Sequence, residues 1–275
     1  MVLFLIKKTF FDFWDNLLTI IMLNLGFFLI LIGEGYLFLA FSATGVTFFT
    51  GSPNILLLLF YYFFFVISGI VFFIYVGIVA KILKSIADFE KPKLLDFLLY
   101  LKETYTASSI FGIIFVSYFF CYYIAGKFYL RSTFIVGGFN IGIIIFVLLF
   151  FITILILMAS QYFFPLQSYI DLYVKKNIRK MFLLVYDNIG FTSILLILNI
   201  IINILSVLTF FIFFGLSVNI LLCMVAFKLR LYKYDFYEEY PDPKKRRVPW
   251  KELLTEDRAK LGKRTLKTMI FPWKK

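Results

Sequence analysis

Residues 190–227 read GFTSILLILNIIINILSVLTFFIFFGLSVNILLCMVAF, thirty-eight positions without a charge, and fifteen of the chain's 28 Lys and Arg follow from Lys228 onward. A charge-free stretch of about 18 apolar residues can cross a bilayer as a helix, and one near 40 is long enough for two passes. Lys and Arg collect on the cytoplasmic side of short loops and helix ends. The junction at Phe227 and Lys228 therefore describes an integral membrane protein with its basic C-terminus in the cytosol.

The remaining spans are counted back from this junction. Apolar segments fall at 16–41, 54–80, 106–126 and 134–158. Lys7 and Lys8 precede the first, the segment 42–53 has no Lys or Arg, and 81–105 holds Lys81, Lys84, Lys91, Lys93 and Lys102. Lys127 and Arg131 lie near the next short loop, and 159–189 holds Lys175, Lys176, Arg179 and Lys180. Rich and poor loops alternate, which puts the N-terminus, 81–105 and 159–189 inside. A single helix over 190–227 would send the basic tail outside. Two short helices, at 190–208 and 211–228, bring it back, with a turn where Gly215, Ser217 and Asn219 interrupt the aliphatic run. A re-entrant hairpin would place the tail equally well. The expected architecture is an all-α polytopic bundle of about six transmembrane helices over 1–228, both termini cytoplasmic, with a basic tail at 229–275.

Composition excludes several function classes. The chain is 62% hydrophobic and 22% aromatic, with a mean hydropathy of +0.94, far above an ordinary soluble domain. Its net charge of +12 sits mostly outside the apolar segments, so membrane orientation and anionic headgroups explain it better than nucleic acid. Two cysteines, Cys121 and Cys223, give no disulfide framework or metal spacing, and there is no histidine. No cofactor, no metal site and no catalytic residues are expected. The first apolar run is too long for a signal-peptide core and reads as a retained helix.

Both long inner connections look amphipathic. Leu94, Leu95, Phe97, Leu98 and Leu101 make an apolar face beside Lys93, Asp96, Lys102 and Glu103, with Pro92 marking a start. Over 166–187, Ile170, Val174, Ile178, Met181 and Phe182 alternate with Lys175, Lys176, Arg179 and Lys180. Each is either a helix in the headgroup plane or an extension of its neighbouring span. A faint echo, Phe97-Leu98-Leu99 and Phe182-Leu183-Leu184, hints at a repeated unit of span, connection, span.

Three elements in order carry a resemblance. They are Asp15-Asn16-Leu17-Leu18 with Asn24; Asp88-Phe89-Glu90-Lys91-Pro92 with Asp96-Phe97 and Tyr100-Leu101-Lys102-Glu103; and Phe163-Phe164-Pro165-Leu166 with Asp187-Asn188 and the apolar pair. Over roughly residues 12–235 the chain resembles the YesL-like family of bacterial membrane proteins, a domain of unknown function. The resemblance implies a bacterial cytoplasmic-membrane protein, an accessory to carbohydrate uptake, with no catalytic residues to carry over. The outer segment Thr44–Asn54 and the extended tail depart from the family's usual pattern.

Polar residues within the apolar segments are the candidate sites. Glu34, between Gly33 and Gly35, is an intramembrane carboxylate, expensive to bury and therefore a site hypothesis. It reads either as an interface residue able to meet Lys127 or Arg131, or as a proton or substrate contact. Asn199 and Asn203 share one helix face and read first as interhelical glue. Ser108 with Gly112, and Gly138 with Gly142, have the small-residue spacing of close helix contacts. In the tail, Lys244-Lys245-Arg246-Arg247 and the ending that contains Phe271 and Trp273 suit anionic headgroups of the inner leaflet or a partner protein. Residues 251–268 favour a helix, acidic early and basic late. The expected role is a non-enzymatic accessory or scaffold of a transport system, with transporter subunits or another membrane protein as partners. The alternative is a secondary transporter with a site between repeated helical units.

Overall fold

Asp15-Asn16 breaks the N-terminal helical pattern, and in the computed structural model of the protein a turn at Asn16 separates α1 (Val2–Asp15) from α2 (Leu17–Ala43). The structure describes residues 1–43, 55–131, 135–136, 139–170, 173–240 and 248–262. The aliphatic and aromatic run after Asn54 is one long helix, α3 (Ile55–Ala87), closed by a turn in which Phe89 takes φ +62°. A 3-10 turn at Leu94–Asp96 follows the Pro92 break and leads straight into α4 (Phe97–Arg131). The first amphipathic connection is therefore an extension of a span. Then come a two-residue antiparallel pair, Ile135↔Asn140 and Val136↔Phe139, and α5 (Ile141–Ser160), whose first turn is capped by Asn140 through the Gly142 amide at 2.9 Å. That pair moves the start of the expected 134–158 span to Ile141.

The second connection is two helices. Short α6 (Phe163–Ile170) is buried over most of its length, and α7 (Val174–Asp187) packs Asn177, Met181, Leu184 and Val185 inward while its lysines face out. Phe182 thus belongs to a separate helix, whereas Phe97 opens a span, so the two echoes do not occupy equivalent places. The charge-free stretch folds into α8 (Ile189–Leu208) and α9 (Leu216–Glu239). The tail adds α10 (Trp250–Leu253) and α11 (Thr255–Leu261).

The fold is all-helical, and five helices among the described residues are long and apolar enough to cross a membrane: α2, α3, α4, α5 and α8. Helix α9 is not one of them, because Lys228, Arg230 and Lys233 interrupt it. Its uncharged part, Leu216–Phe227, is twelve residues and spans about 18 Å at 1.5 Å per residue. It also runs unbroken through the expected domain boundary at 228.

Helices α3 and α4 approach closely where small residues face each other. A Cβ on Gly112 would stand 3.1 Å from the Gly69 carbonyl, and Gly77 faces Ser108 and Thr104. The Ser108 and Gly112 spacing thus marks a real contact, while Gly138 lies outside the described residues. Stacked and edge-on rings extend this contact toward α6, with Phe111 and Phe163 at 3.9 Å between centroids. The end of the bundle that holds the N-terminus closes around α9, where Leu221–Phe227 is continuously buried.

The α8–α9 pair is an antiparallel hairpin in one consistent register. Asn203 meets Asn219 at 2.6 Å, Asn199 meets Cys223 at 3.4 Å, and Asn188 meets Tyr234 at 2.8 Å. Its tip bends through positive φ at Phe210 (50°) and Phe211 (59°), costly for aromatic residues and held from outside. Asn24 of α2 does the holding. Its Nδ2 donates to the carbonyls of Ile212 and Phe213, both at 3.1 Å, and its Oδ1 accepts from the Ser217 amide at 3.1 Å. One side chain thereby satisfies groups that a helix start and a turn leave open. Gly215 is required beside it, since any Cβ there would collide with the Asn24 amide.

Candidate functional site

Glu34 lies ten residues beyond Asn24, about 15 Å further along α2, past the reach of the hairpin tip. With no α9 at that level, helices α2, α3 and α4 enclose a cavity of about 560 Å³ lined by Glu34, Ser68, Gly69, Phe72, Phe119 and Tyr123 among others. A second hollow of about 460 Å³ sits across the same contact, lined by Ile30, Gly33, Glu34, Phe64, Ser68 and Val71. Glu34 and Ser68 of α3 line both hollows, and the Glu34 Oε1 is buried with no hydrogen-bond partner among the described residues. The carboxyl thus stands between two apolar hollows where α2 meets α3. Lys127 is not its ion-pair partner; that ammonium sits 4.7 Å over the Tyr123 ring. Arg131's side chain lies outside the described residues.

The amides are elsewhere. Asn199 Nδ2 donates to Gln161 Oε1 at 2.9 Å and to Cys223 Sγ, tying α8 to the end of α5 and to α9. Asn203 bonds only within the hairpin, to Asn219. Both do the interhelical work expected of such groups, and neither lines the Glu34 hollows. Lys244, Lys245, Arg246, Arg247, Phe271 and Trp273 lie outside the described residues.

The densest chemistry is where α1, α9 and α11 meet, and there the amino-acid pattern alone gave little warning. Lys8 Nζ pairs with Asp12 Oδ2 at 2.8 Å, with the side chains 0% and 6% exposed. The same ammonium sits 3.4 Å from the centroid of Phe89, and Lys228 and Lys260 approach that ring at 5.4 Å each. Lys228 pairs with Asp88 at 2.9 Å and donates to the Ala87 carbonyl. Tyr169 donates to Asp88, and Tyr232 donates to buried Asp257 at 3.3 Å. Three lysines and three aspartates from α1, α9, α11 and the turn after α3 therefore gather at one aromatic ring. Burial pushes the Asp12 carboxyl up to about 6, with Lys8 offsetting part of that rise. Burial also lowers the Lys8 ammonium below its ordinary value. The i,i+4 spacing of Lys8 and Asp12 was visible, but such pairs usually face solvent.

A second buried cation fastens the tail. Arg230 is 4% exposed, donates to Asn188 Oδ1 at 2.8 Å and touches Met1 Sδ. Its guanidinium lies 3.9 Å over Phe191 and 5.4 Å from the Trp250 ring. Asp187, the nearby carboxylate, is taken by Lys233 and Tyr234, both at 2.7 Å, which hold it below its ordinary range. Leu254, Asp257 and Leu261 are buried as well, so the tail helices dock on the membrane domain. The expected single helix over 251–268 breaks at Leu254, and α11 stops at Gly262, whose φ of +67° suits glycine. Compared with protein-family models, curated proteins and solved structures, the chain matches none.

Proposed function

We propose that this chain is a non-catalytic accessory or scaffold component of a transport system in the bacterial cytoplasmic membrane, with both termini in the cytosol. The observation that carries this reading is where the polar chemistry sits. The intramembrane polar groups are dispersed, Glu34 on α2 and Asn199 and Asn203 on the hairpin, and the two amides are used between helices. The inner face, by contrast, concentrates charge: a buried Lys8–Asp12 pair on α1, a Lys228–Asp88 pair from α9 to the turn after α3, and a Tyr232–Asp257 bond from α9 to α11. It also carries unpartnered apolar groups. Leu95 is 99% exposed, with Leu98 and Leu99 beside it on the inner extension of α4. Such a patch on a basic cytoplasmic face suits a partner subunit. The resemblance to YesL-like proteins points to carbohydrate uptake. Copurification from cross-linked native membranes tests this: transporter subunits should accompany the tagged chain, and Leu95→Asp with Leu98→Asp should cut their recovery about tenfold without changing insertion. Recovery of the chain alone counts against a scaffold.

The topology we favour departs from six full crossings. Asn24 is seven residues into α2, and fifteen more, about 22 Å, lie between it and Leu39. Tyr75, whose hydroxyl donates to the Leu23 carbonyl at 3.0 Å, is likewise seventeen residues, about 25 Å, from Leu58. The hairpin tip therefore stops well short of the outer ends of its neighbours. Helices α2 to α5 cross fully, while α8 and α9 dip in from the cytoplasmic side and return. Backbone at the tip is tolerated at that depth because Asn24 satisfies it.

A secondary transporter is the second reading, favoured by the Glu34 carboxyl between two hollows. Glu34→Gln separates the two. The interface role expects normal insertion and nearly unchanged uptake by the associated system, since glutamine keeps the side chain's size and polarity. Loss of uptake with normal insertion would promote the transporter.

A further inference from the structure

Helix α1 buries one charge pair and leaves part of its apolar surface, with Lys7, exposed. Lys8 and Asp12 are buried, while Leu3 is 84% exposed, with Ile6 and Trp14 exposed on the same outward side. A helix that leads directly into a span and presents such a stripe lies in the headgroup and acyl boundary. Beside this stripe, α1 and α11 enclose a cleft of about 710 Å³. Its apolar walls include Leu3, Phe4, Ala259 and Leu261, and its two charged groups are Lys7 and Arg258, with no acidic residue in the lining. The neighbouring carboxylates are engaged elsewhere, Asp12 by Lys8 and Asp257 by Tyr232. Neither Lys7 nor Arg258 has an ion-pair partner among the described residues.

We propose that this cleft binds one anionic phospholipid of the inner leaflet, its phosphate between Lys7 and Arg258 and an acyl chain along Leu3 and Phe4. Arg258 can meet two phosphate oxygens at once with its planar fork, and Lys7 adds a flexible point charge. The alkyl chain covers apolar surface that is otherwise in contact with water at the membrane edge. Tail and N-terminal helix would then share a lipid, which links the docking of α11 to the bilayer. The proposal rests on the placement of α1 at the cytoplasmic face.

Lipid retention by the purified full-length chain tests it without reference to topology. Native mass spectrometry in detergent with added dimyristoyl phosphatidylglycerol should show one tightly held lipid, and phosphatidylcholine should be held far less. Lys7→Gln with Arg258→Gln should weaken retention about thirtyfold, two headgroup cations at roughly a factor of five each. Both residues are exposed, so the variant should stay folded. Lys175→Gln with Lys180→Gln on α7, an equal loss of charge, should leave retention unchanged. The proposal is overturned if the two double variants behave alike, if phosphatidylcholine binds equally, or if millimolar inorganic phosphate displaces the lipid. A failure of topology would instead appear as an external C-terminus, with lipid retention unaffected.

Discussion

Lys8→Met is expected to destabilise the chain by about 3–5 kcal/mol near pH 7, the usual loss when one member of a buried ion pair is removed. Asp12 would be left in an apolar setting beside Phe89, with its carboxylate charge uncompensated. Lys8→Met combined with Asp12→Leu should recover most of the loss, because an apolar pair of similar volume avoids the cost of burying either charge. The pH dependence has a definite sign. The folded Asp12 carboxyl keeps its proton up to about 6, against an ordinary value of 3.8. Between about pH 4 and 6 the folded chain then holds more protons than the unfolded one, so this group's contribution falls as pH rises through that window and levels above it. Asp12→Asn should remove that slope, and the Lys8→Met penalty should shrink as pH falls and the lone buried carboxyl takes up its proton. Denaturant unfolding in micelles measures both. A single-variant loss below 1 kcal/mol would mean that the pair is solvated in solution.

A single cysteine at Phe213, in a chain with Cys121 and Cys223 replaced by alanine, should resist an impermeant maleimide added outside intact cells. One at Ser52 should react readily. Two full crossings would expose the tip of 190–227 outside, so labelling of Phe213→Cys at the Ser52 rate would sink the re-entrant hairpin. Asn24→Leu should then act on the same structure. It removes three hydrogen bonds at the tip, each worth about 0.6 kcal/mol on average in a membrane and more when a group is left unmet. A loss of about 2 kcal/mol is expected, together with faster labelling at Phe213. Gly215→Ala should mimic it by pushing the Asn24 amide away.

Sequence alone determined the membrane character, the helical class, the starts of α2 and α3, the break at Pro92 and the close-contact role of Ser108 and Gly112. These follow from hydropathy, charge and residue size, which act over one or two turns and can be read locally. It also located a helical pair in 190–227, since a basic tail and an uncharged stretch of that length admit few arrangements. How far that pair penetrates was left open. The tip is held by Asn24, 188 residues away from Ile212 in the chain, and no periodicity within 190–227 carries that information. The same holds for Lys8, Asp12, Asp88, Lys228 and Asp257, each of which reads as an ordinary cytoplasmic charge on its own segment. They become a largely buried layer, with Asp88 and Lys228 half-buried at its edge, only because α1, α9 and α11 converge on Phe89, and a charge is stabilised in the interior only by partners that tertiary packing brings to it.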